Sequence, residues 1–501
     1  MSATQQKHLI HCGDKQDVKT ISQALDLVEE GGTISIDPGL YKEHLEFTKK
    51  VKIIGVTDSI SCKNSKELPI VILDYNNPCK INHPIDIEGI IFTHNENIFF
   101  NKLSDYICDK ETFESNEIQD SCTNPTNNLS MLLVEDNANL KNIGILDSKS
   151  TGIFFSKGQP EIIDSIISNS ILCCLSFGDT SSPKISNTII SNSCNTGILI
   201  KESAFPQLTR CNIYNHSANG VCLKESAKAS FLHCEIHTNK RVGIECQDSS
   251  EATIDHCLIY DNCRTGIAVM DNSSPKITEC EIYNHLNNGI FIKNEAKGIF
   301  SKCSIHENKL HGIAISGNAT PKISECIICN NGSDNDAGII VTRNSAPEIT
   351  TCDIYKNNGC GIKTTNESQG MYAKCNVHDN DGVGITIEDD AKGSFSECHI
   401  HENNGNGIAI YDNAKSKIEN CSIHDNKTED ENYPGVVVCD MASPEMISCE
   451  IYNHLSDGMW ITDQATGTYT KCDIHNNEGI GITIQDSASG KFNESLIHEN
   501  K

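Results

Sequence analysis

Twelve cysteines, Cys211, Cys234, Cys257, Cys280, Cys303, Cys326, Cys352, Cys375, Cys398, Cys421, Cys449 and Cys472, recur at one constant interval with only two longer exceptions. Each opens a segment Cys-x-Ile-(Tyr/His), as in Cys280-Glu281-Ile282-Tyr283. At the ninth position after the cysteine stands Gly-Ile-x-Ile, as in Gly289-Ile290-Phe291-Ile292. A fixed period of this length is the mark of a solenoid, in which one short unit cannot bury its own apolar face and is stabilised by its neighbours. The two longer intervals swell in one connection only, at 331–336 and 427–434. The flanking segments therefore keep register.

Numbered from the cysteine, apolar residues fall at −3 (Ile277, Phe300, Ile323, Phe395), 0, +2, +10 and +12, with polar residues between them. That is a period of two and predicts strands. Three short strands in every period, punctuated by Asn, Gly, Asp and Pro, leave no room for helices. The fold class read from this pattern is all-β, a right-handed parallel β-helix solenoid of about 16 coils spaced about 4.8 Å apart. The regular repeats are expected over 131–501. Residues 1–130 are expected to form an N-terminal cap and the first coils. Within that part Thr20-Ile-Ser-Gln23 reads as a capping box opening a short helix, with Ile21, Ala24, Leu25 and Val28 as its stripe and Gly31-Gly32 as its end. Strands are expected at about 33–37, 51–55 and 70–73, and a loop insertion at about 93–128. Lys501 falls inside a turn of the repeat. The open strand edges there predict an end-on contact or a continuing chain.

Asp plus Glu number 68 against 40 Lys plus Arg, a formal charge of −28. This argues against nucleic acid and anionic membrane as partners. The first residues lack a basic and then apolar run, and no apolar stretch is long enough to span a membrane, so the expected address is cytoplasmic or nuclear. The 26 cysteines follow the repeat and are read as small buried hydrophobes, not as disulfides.

Equivalent positions of successive coils stack into columns, and each column is a candidate site. The +3 column carries Tyr214, His237, Tyr260, Tyr283, His306, Cys329, Tyr355, His378, His401, His424, Tyr452 and His475. Three consecutive imidazoles invite a metal or a general base, but rings repeated at every coil also read as a stacked ladder. Asn at +5, including Asn239, Asn262, Asn308, Asn380 and Asn403, reads as a turn ladder. The +14 column is acidic, and Asp389, Asp412, Asp440, Asp463 and Asp486 are its calcium candidates against a reading as repeated turn caps. No cofactor and no catalytic residue is expected. The +11 column lies between two inward positions and should face outward, yet it holds Leu199, Phe291, Ile340, Val437 and the only tryptophan, Trp460. An apolar file of this kind predicts a binding surface or a face covered by the chain's own loop.

Gly32-Thr-Ile-Ser-Ile-Asp-Pro-Gly-Leu-Tyr-Lys-Glu43 followed by Lys50-Val-Lys-Ile-Ile-Gly55 resembles the entry coil of pectin-lyase-like right-handed β-helix proteins. The Cys-x-Ile-His repeat with its Gly-Ile-x-Ile strand resembles the β-helix arrays of F-box substrate receptors. It is also similar to nitrous-oxide-reductase maturation proteins and mannuronan epimerases. The resemblance to F-box receptors implies a substrate-recognition adaptor in ubiquitin-dependent turnover, and the others a carbohydrate-active lyase, epimerase or esterase. The chain lacks an F-box-like helical segment, the Asp-Phe-Ile-Phe-Gly segment of pectin methylesterases, the Asp-Pro-His of epimerases, and the Asn-Thr-Asp and Gly-His-Gly of polygalacturonases. The leading expectation is a non-enzymatic scaffold with a protein partner along its lateral face.

Overall fold

The computed structural model describes residues 6–16, 18–56, 59–74, 76–98, 130–333, 336–426 and 433–501. The described residues form all-β right-handed parallel solenoid coils, about 19 turns in all, with a single short α-helix among them. The chain divides into two compact units, Met1–Leu258 and Ile259–Lys501.

In the second unit one coil illustrates the rest. Lys276–Thr278 lies in the third sheet, Glu281–Tyr283 in the first and Ile290–Ile292 in the second. Each pairs in parallel with the equivalent strand of the next coil: Ile277 with Phe300, Ile282 with Ile305 and Phe291 with Ala314. Inward residues are fully buried, including Ile277, Ile282, Ile290 and Ile292. The corners between strands carry positive φ on residues that are not glycine, such as Glu397, Glu402, Asp412 and Asn413 around Cys398. Left-handed backbone costs a residue with a β-carbon about 1–2 kcal/mol. The cost is offset because the corner amides bond the next coil, Glu397 N–H donating to the carbonyl of Glu419 and Asn413 N–H to that of Asp440, both at 3.0 Å.

The first unit begins with a strand, Lys7–Cys12, that the sequence pattern did not reveal. The helix spans Ile21–Leu27 and buries Ile21, Ala24 and Leu25. The Thr20 hydroxyl accepts from Gln23 N–H at 3.2 Å, while Ile21 N–H and Ser22 N–H donate to the Glu43 carboxylate at 2.7 and 2.8 Å. The helix stops before Gly31-Gly32, because Val28 opens the strand Val28–Ile36 and pairs with Lys7. The expected strands are found at Val28–Ile36, Val51–Ile54 and Pro69–Ile72.

About 19 turns replace the expected number, about 16, because the early coils do not keep the regular period. In the first sheet Leu40 pairs with Ile70, Ile70 with Ile91 and Ile91 with Gly144, so the distance along the chain between paired strands changes at every step. Hydrogen bonding fixes which strand lies beside which, and the length of the connecting loop does not. The loop expected at about 93–128 lies outside the described residues from 99 onward, as do 334–335 and 427–432 of the two swollen turns.

An Ile282→Asp variant places an unpaired charge among fully buried aliphatics, at a cost of about 4 kcal/mol or more. Hydrogen exchange should show protection lost in the coils around Glu281–Tyr283, with the coils near Thr470 unchanged.

Candidate functional site

The columns sort by what already occupies their polar atoms. The cysteines of the repeat column, Cys211 to Cys472, are buried thiols outside any disulfide. Cys303 Sγ lies 3.7 Å from the carbonyl of Ile277 and 3.4 Å from that of Ser301, and Cys398 repeats the pattern on Tyr372 and Ser396 at 3.7 and 3.4 Å. Contact with neighbouring thiols and burial push Cys352 up, so its sulfur stays protonated.

The rings at +3 stack. His378, His401 and His424 follow one another at 5.0 Å between centroids with planes 2° apart, and Tyr452 and His475 continue the file. His378 Nε2 and Nδ1 meet Asp353 at 3.1 Å and Asp379 at 2.8 Å, while those of His401 meet Asn376 at 3.1 Å and Glu402 at 3.2 Å. Burial, then the neighbouring imidazoles His378 and His424, lower His401. Rings spaced at 5.0 Å do not bring equivalent nitrogens within the roughly 4.2 Å that two metal–nitrogen bonds allow. The stack is a structural ladder.

The +5 column turns inward and is a hydrogen-bond ladder. Asn308, Asn331, Asn357, Asn380, Asn403 and Asn426 are buried, the amide Nδ2 of each of the first five donating to the next Oδ1 at 2.8 to 3.1 Å. Sequence reading placed these residues in turns but did not reveal their burial. Glycine at +9 follows from it: a Cβ on Gly289 would lie 2.8 Å from Asn308 Nδ2 and 2.8 Å from the Gly312 carbonyl. Three histidines replace asparagine in this column, His216 in the first unit and His285 and His454 in the second, all fully buried. His285 Nε2 donates to the Ile259 carbonyl and Nδ1 accepts from Asn262 N–H, each at 3.1 Å. That arrangement holds a neutral ring, and burial lowers His216 and His285 to about 3.

The acidic +14 column stands on left-handed corners, with φ of 52° at Asp389, 49° at Asp412, 51° at Asp440, 50° at Asp463 and 52° at Asp486. Asp389 accepts from the Thr365 hydroxyl at 2.6 Å and Asp486 from that of Thr462 at 3.0 Å. Burial and then the carboxylates of Asp440, Asp389 and Glu388 raise Asp412. Among the described residues one group brings three potential ligand atoms within 4.8 Å, those of Cys439, Asp440 and Asp463. Calcium takes six to eight oxygens. Two exposed carboxylates and a thiol raised by burial do not form such a shell.

The outer face of the second sheet remains. Phe291, Ile340 and Trp460 are half-buried there, whereas Val437 is 9% and Leu199 only 2% exposed. Leu199, in the first unit, is enclosed with Cys173 and Cys222. In the second unit the apolar file is broken: Phe291 pairs with Ala268 and Ala314, Ile340 with Ala314 and Lys363, and only Val437 and Trp460 adjoin. Between these apolar stretches lies an ion pair absent from the sequence reading, Lys363 Nζ to Glu388 Oε1 at 2.7 Å, with Tyr411 in the adjacent coil raised by burial. Its signal was polar residues at +11 and +13 of consecutive coils. Also unforeseen are exposed apolar residues in the turn before this sheet, Leu286, Leu310, Leu455 and Ile480.

No helix among the described residues is long and apolar enough to cross a membrane. A family model described as right handed beta helix region matches residues 151–285, 265–422 and 371–501. No curated protein matches the sequence. Among solved structures the chain is similar to one from the Vag8–C1 inhibitor complex at 14% identity, covering 92% of this chain and 100% of that one with a TM-score of 0.47. It is similar to the periplasmic alginate epimerase AlgG at 12% identity, covering 84% and 78% with a TM-score of 0.32. The Azotobacter vinelandii mannuronan C-5 epimerase AlgE6 A-module matches at 10% identity, covering 93% and 91% with a TM-score of 0.26.

Histidines with depressed folded values are neutral when folded and charge on unfolding, so their contribution is present above about pH 6.5 and is lost as pH falls toward 3. Each should remove about 2 kcal/mol between pH 6.5 and pH 5. A His285→Asn variant, restoring the amide used by most of the column, should show a smaller fall in melting temperature between pH 7.5 and pH 5 than the parent chain.

Proposed function

The chain belongs to the right-handed β-helix family, and on that fold we propose a non-enzymatic protein-interaction scaffold whose working surface is the outer face of the second sheet in residues 259–501. The reading is carried by Trp460, the only tryptophan of the sequence, held outward and half-buried on a β-face. Aromatic side chains on a rigid face bind with little loss of conformational entropy and are enriched at interfaces. The other chemistry-bearing columns are engaged in joining coil to coil, through the thiol, ring and amide ladders. Their polar atoms are therefore committed to stability. In its specific form the scaffold is a substrate-recognition adaptor in ubiquitin-dependent turnover, a version supported by the similarity of the Cys-x-Ile-His repeat to F-box substrate receptors.

One observation favours a second reading, a polysaccharide lyase, epimerase or esterase. Lys363, Glu388 and Tyr411 place titratable side chains on consecutive coils of the same sheet. Pairs of this kind supply general acids and bases. Incubation with polyuronate should then yield unsaturated or epimerised sugar, lost in Lys363→Met.

The scaffold reading predicts that affinity capture on the intact chain retains partners that a Trp460→Ala, Phe291→Ala double variant of equal stability loses by about tenfold or more, since aromatic anchors contribute about 2 kcal/mol each. An unchanged set of partners on the double variant rules this surface out.

A further inference from the structure

One segment of the second unit occurs twice. Cys280-Glu-Ile-Tyr-Asn-His-Leu286 is repeated as Cys449-Glu-Ile-Tyr-Asn-His-Leu455, and both copies continue through Gly to an aromatic residue, Phe291 and Trp460. The two copies are built alike. His285 and His454 are fully buried, and their backbone N–H groups donate to the ladder amides of Asn308 at 3.2 Å and Asn477 at 3.0 Å. Next to each histidine the leucine is pushed into solvent, Leu286 at 59% and Leu455 at 47% exposed, and the next coil adds Leu310 at 37% and Ile480 at 56%. Each copy thus offers an exposed turn leucine, a half-buried aromatic five positions on and a second exposed aliphatic in the turn of the next coil.

The copies differ in charge. In the first, Lys293 follows the aromatic residue by two positions and its Nζ stands 5.6 Å from the Phe291 ring centroid. The ring already carries a cation of the same chain. In the second copy the equivalent position is Thr462, and no Lys or Arg occurs between Lys427 and Lys471. Asn288 of the first copy becomes Asp457, whose carboxylate accepts from Ile480 N–H at 2.8 Å and from the Thr483 hydroxyl at 2.6 Å. Thr483 pairs with Trp460, so this negative charge sits beside the indole. Asp440 and Asp463 stand on the neighbouring corners.

We propose that the patch of Leu455, Trp460 and Ile480 docks an extended polypeptide segment that carries a Lys or Arg next to a large apolar side chain. The cation takes over Trp460 the place that Lys293 takes over Phe291, and the apolar side chain covers Leu455 and Ile480. Indole is the strongest of the aromatic faces for a cation, and the adjacent carboxylate adds to the attraction. The first copy, capped by its own lysine, serves as the internal reference. This inference rests on the reading of the chain as an interaction scaffold and names the chemistry of its partner.

Trp460 is the sole tryptophan, so its emission reports the site directly. The intact chain is titrated at physiological salt with three synthetic peptides, Lys-Leu-Lys-Leu-Lys, Lys-Ser-Lys-Ser-Lys and Glu-Leu-Glu-Leu-Glu. The expected result is a saturable change in emission with the first peptide at a concentration at least tenfold below that needed for the second, and none with the third. Thr462→Lys, which transplants the first copy's cation, should weaken the first peptide about tenfold. Leu455→Ser, at an exposed position that leaves the core intact, should do the same. Equal binding of the two lysine peptides, no response to any of them, or indifference to both substitutions overturns the proposal. If the peptides fail while the Trp460→Ala, Phe291→Ala variant still loses captured partners, the partner chemistry is wrong and the scaffold surface stands.

Discussion

Everything in this molecule depends on the main-chain hydrogen bond from one coil to the next. Strands this short do not persist alone, and the left-handed corners between them are locally unfavourable. Both are tolerated because each coil satisfies the backbone of its neighbour, at the corners as well as in the sheets. The consequence is translation. A residue type that suits a position in one coil suits it in the next, and side chains meet their own kind.

The side-chain ladders are the chemical result of that translation. An amide can donate and accept in the same direction at every step, so Asn308 to Asn426 run as a buried chain of hydrogen bonds. Flat rings stack at their natural offset distance. Thiols sit over carbonyls. Where a column would have stacked carboxylates, it lies on solvated corners and takes hydroxyl donors. The ladders also explain the glycine before the second-sheet strand, which keeps a β-carbon away from the amide or imidazole of the adjacent coil. Side chains that the stacking does not use include those on the outer face of the second sheet and in the turn before it.

Much of this was legible in the sequence because stacking writes itself into spacing. The cysteine and Ile columns, the short helix after Thr20 and the reading of the +3 rings as a stack agree with the structure. The early coils did not announce themselves, since the unequal steps from Leu40 to Ile70, Ile91 and Gly144 erase the period while the pairing persists. Nor did the +11 file come out as one surface. Alternation correctly placed Leu199 and Trp460 on the outer side of a strand, yet one is enclosed with Cys173 and Cys222 and the other is half open. The exposed Leu286, Leu310, Leu455 and Ile480 were missed because they stand in turns, where no alternation marks them.

The sequence by itself determined the regular coil, its length and the inward positions of its strands, because a one-dimensional period becomes a one-dimensional stack. Only the tertiary structure decided which outward side chains are covered, which polar columns are engaged, and that two distant copies of one segment both expose their turn leucine. Those properties depend on what lies across the face and in the neighbouring coil, and distance through space is not a function of distance along the chain.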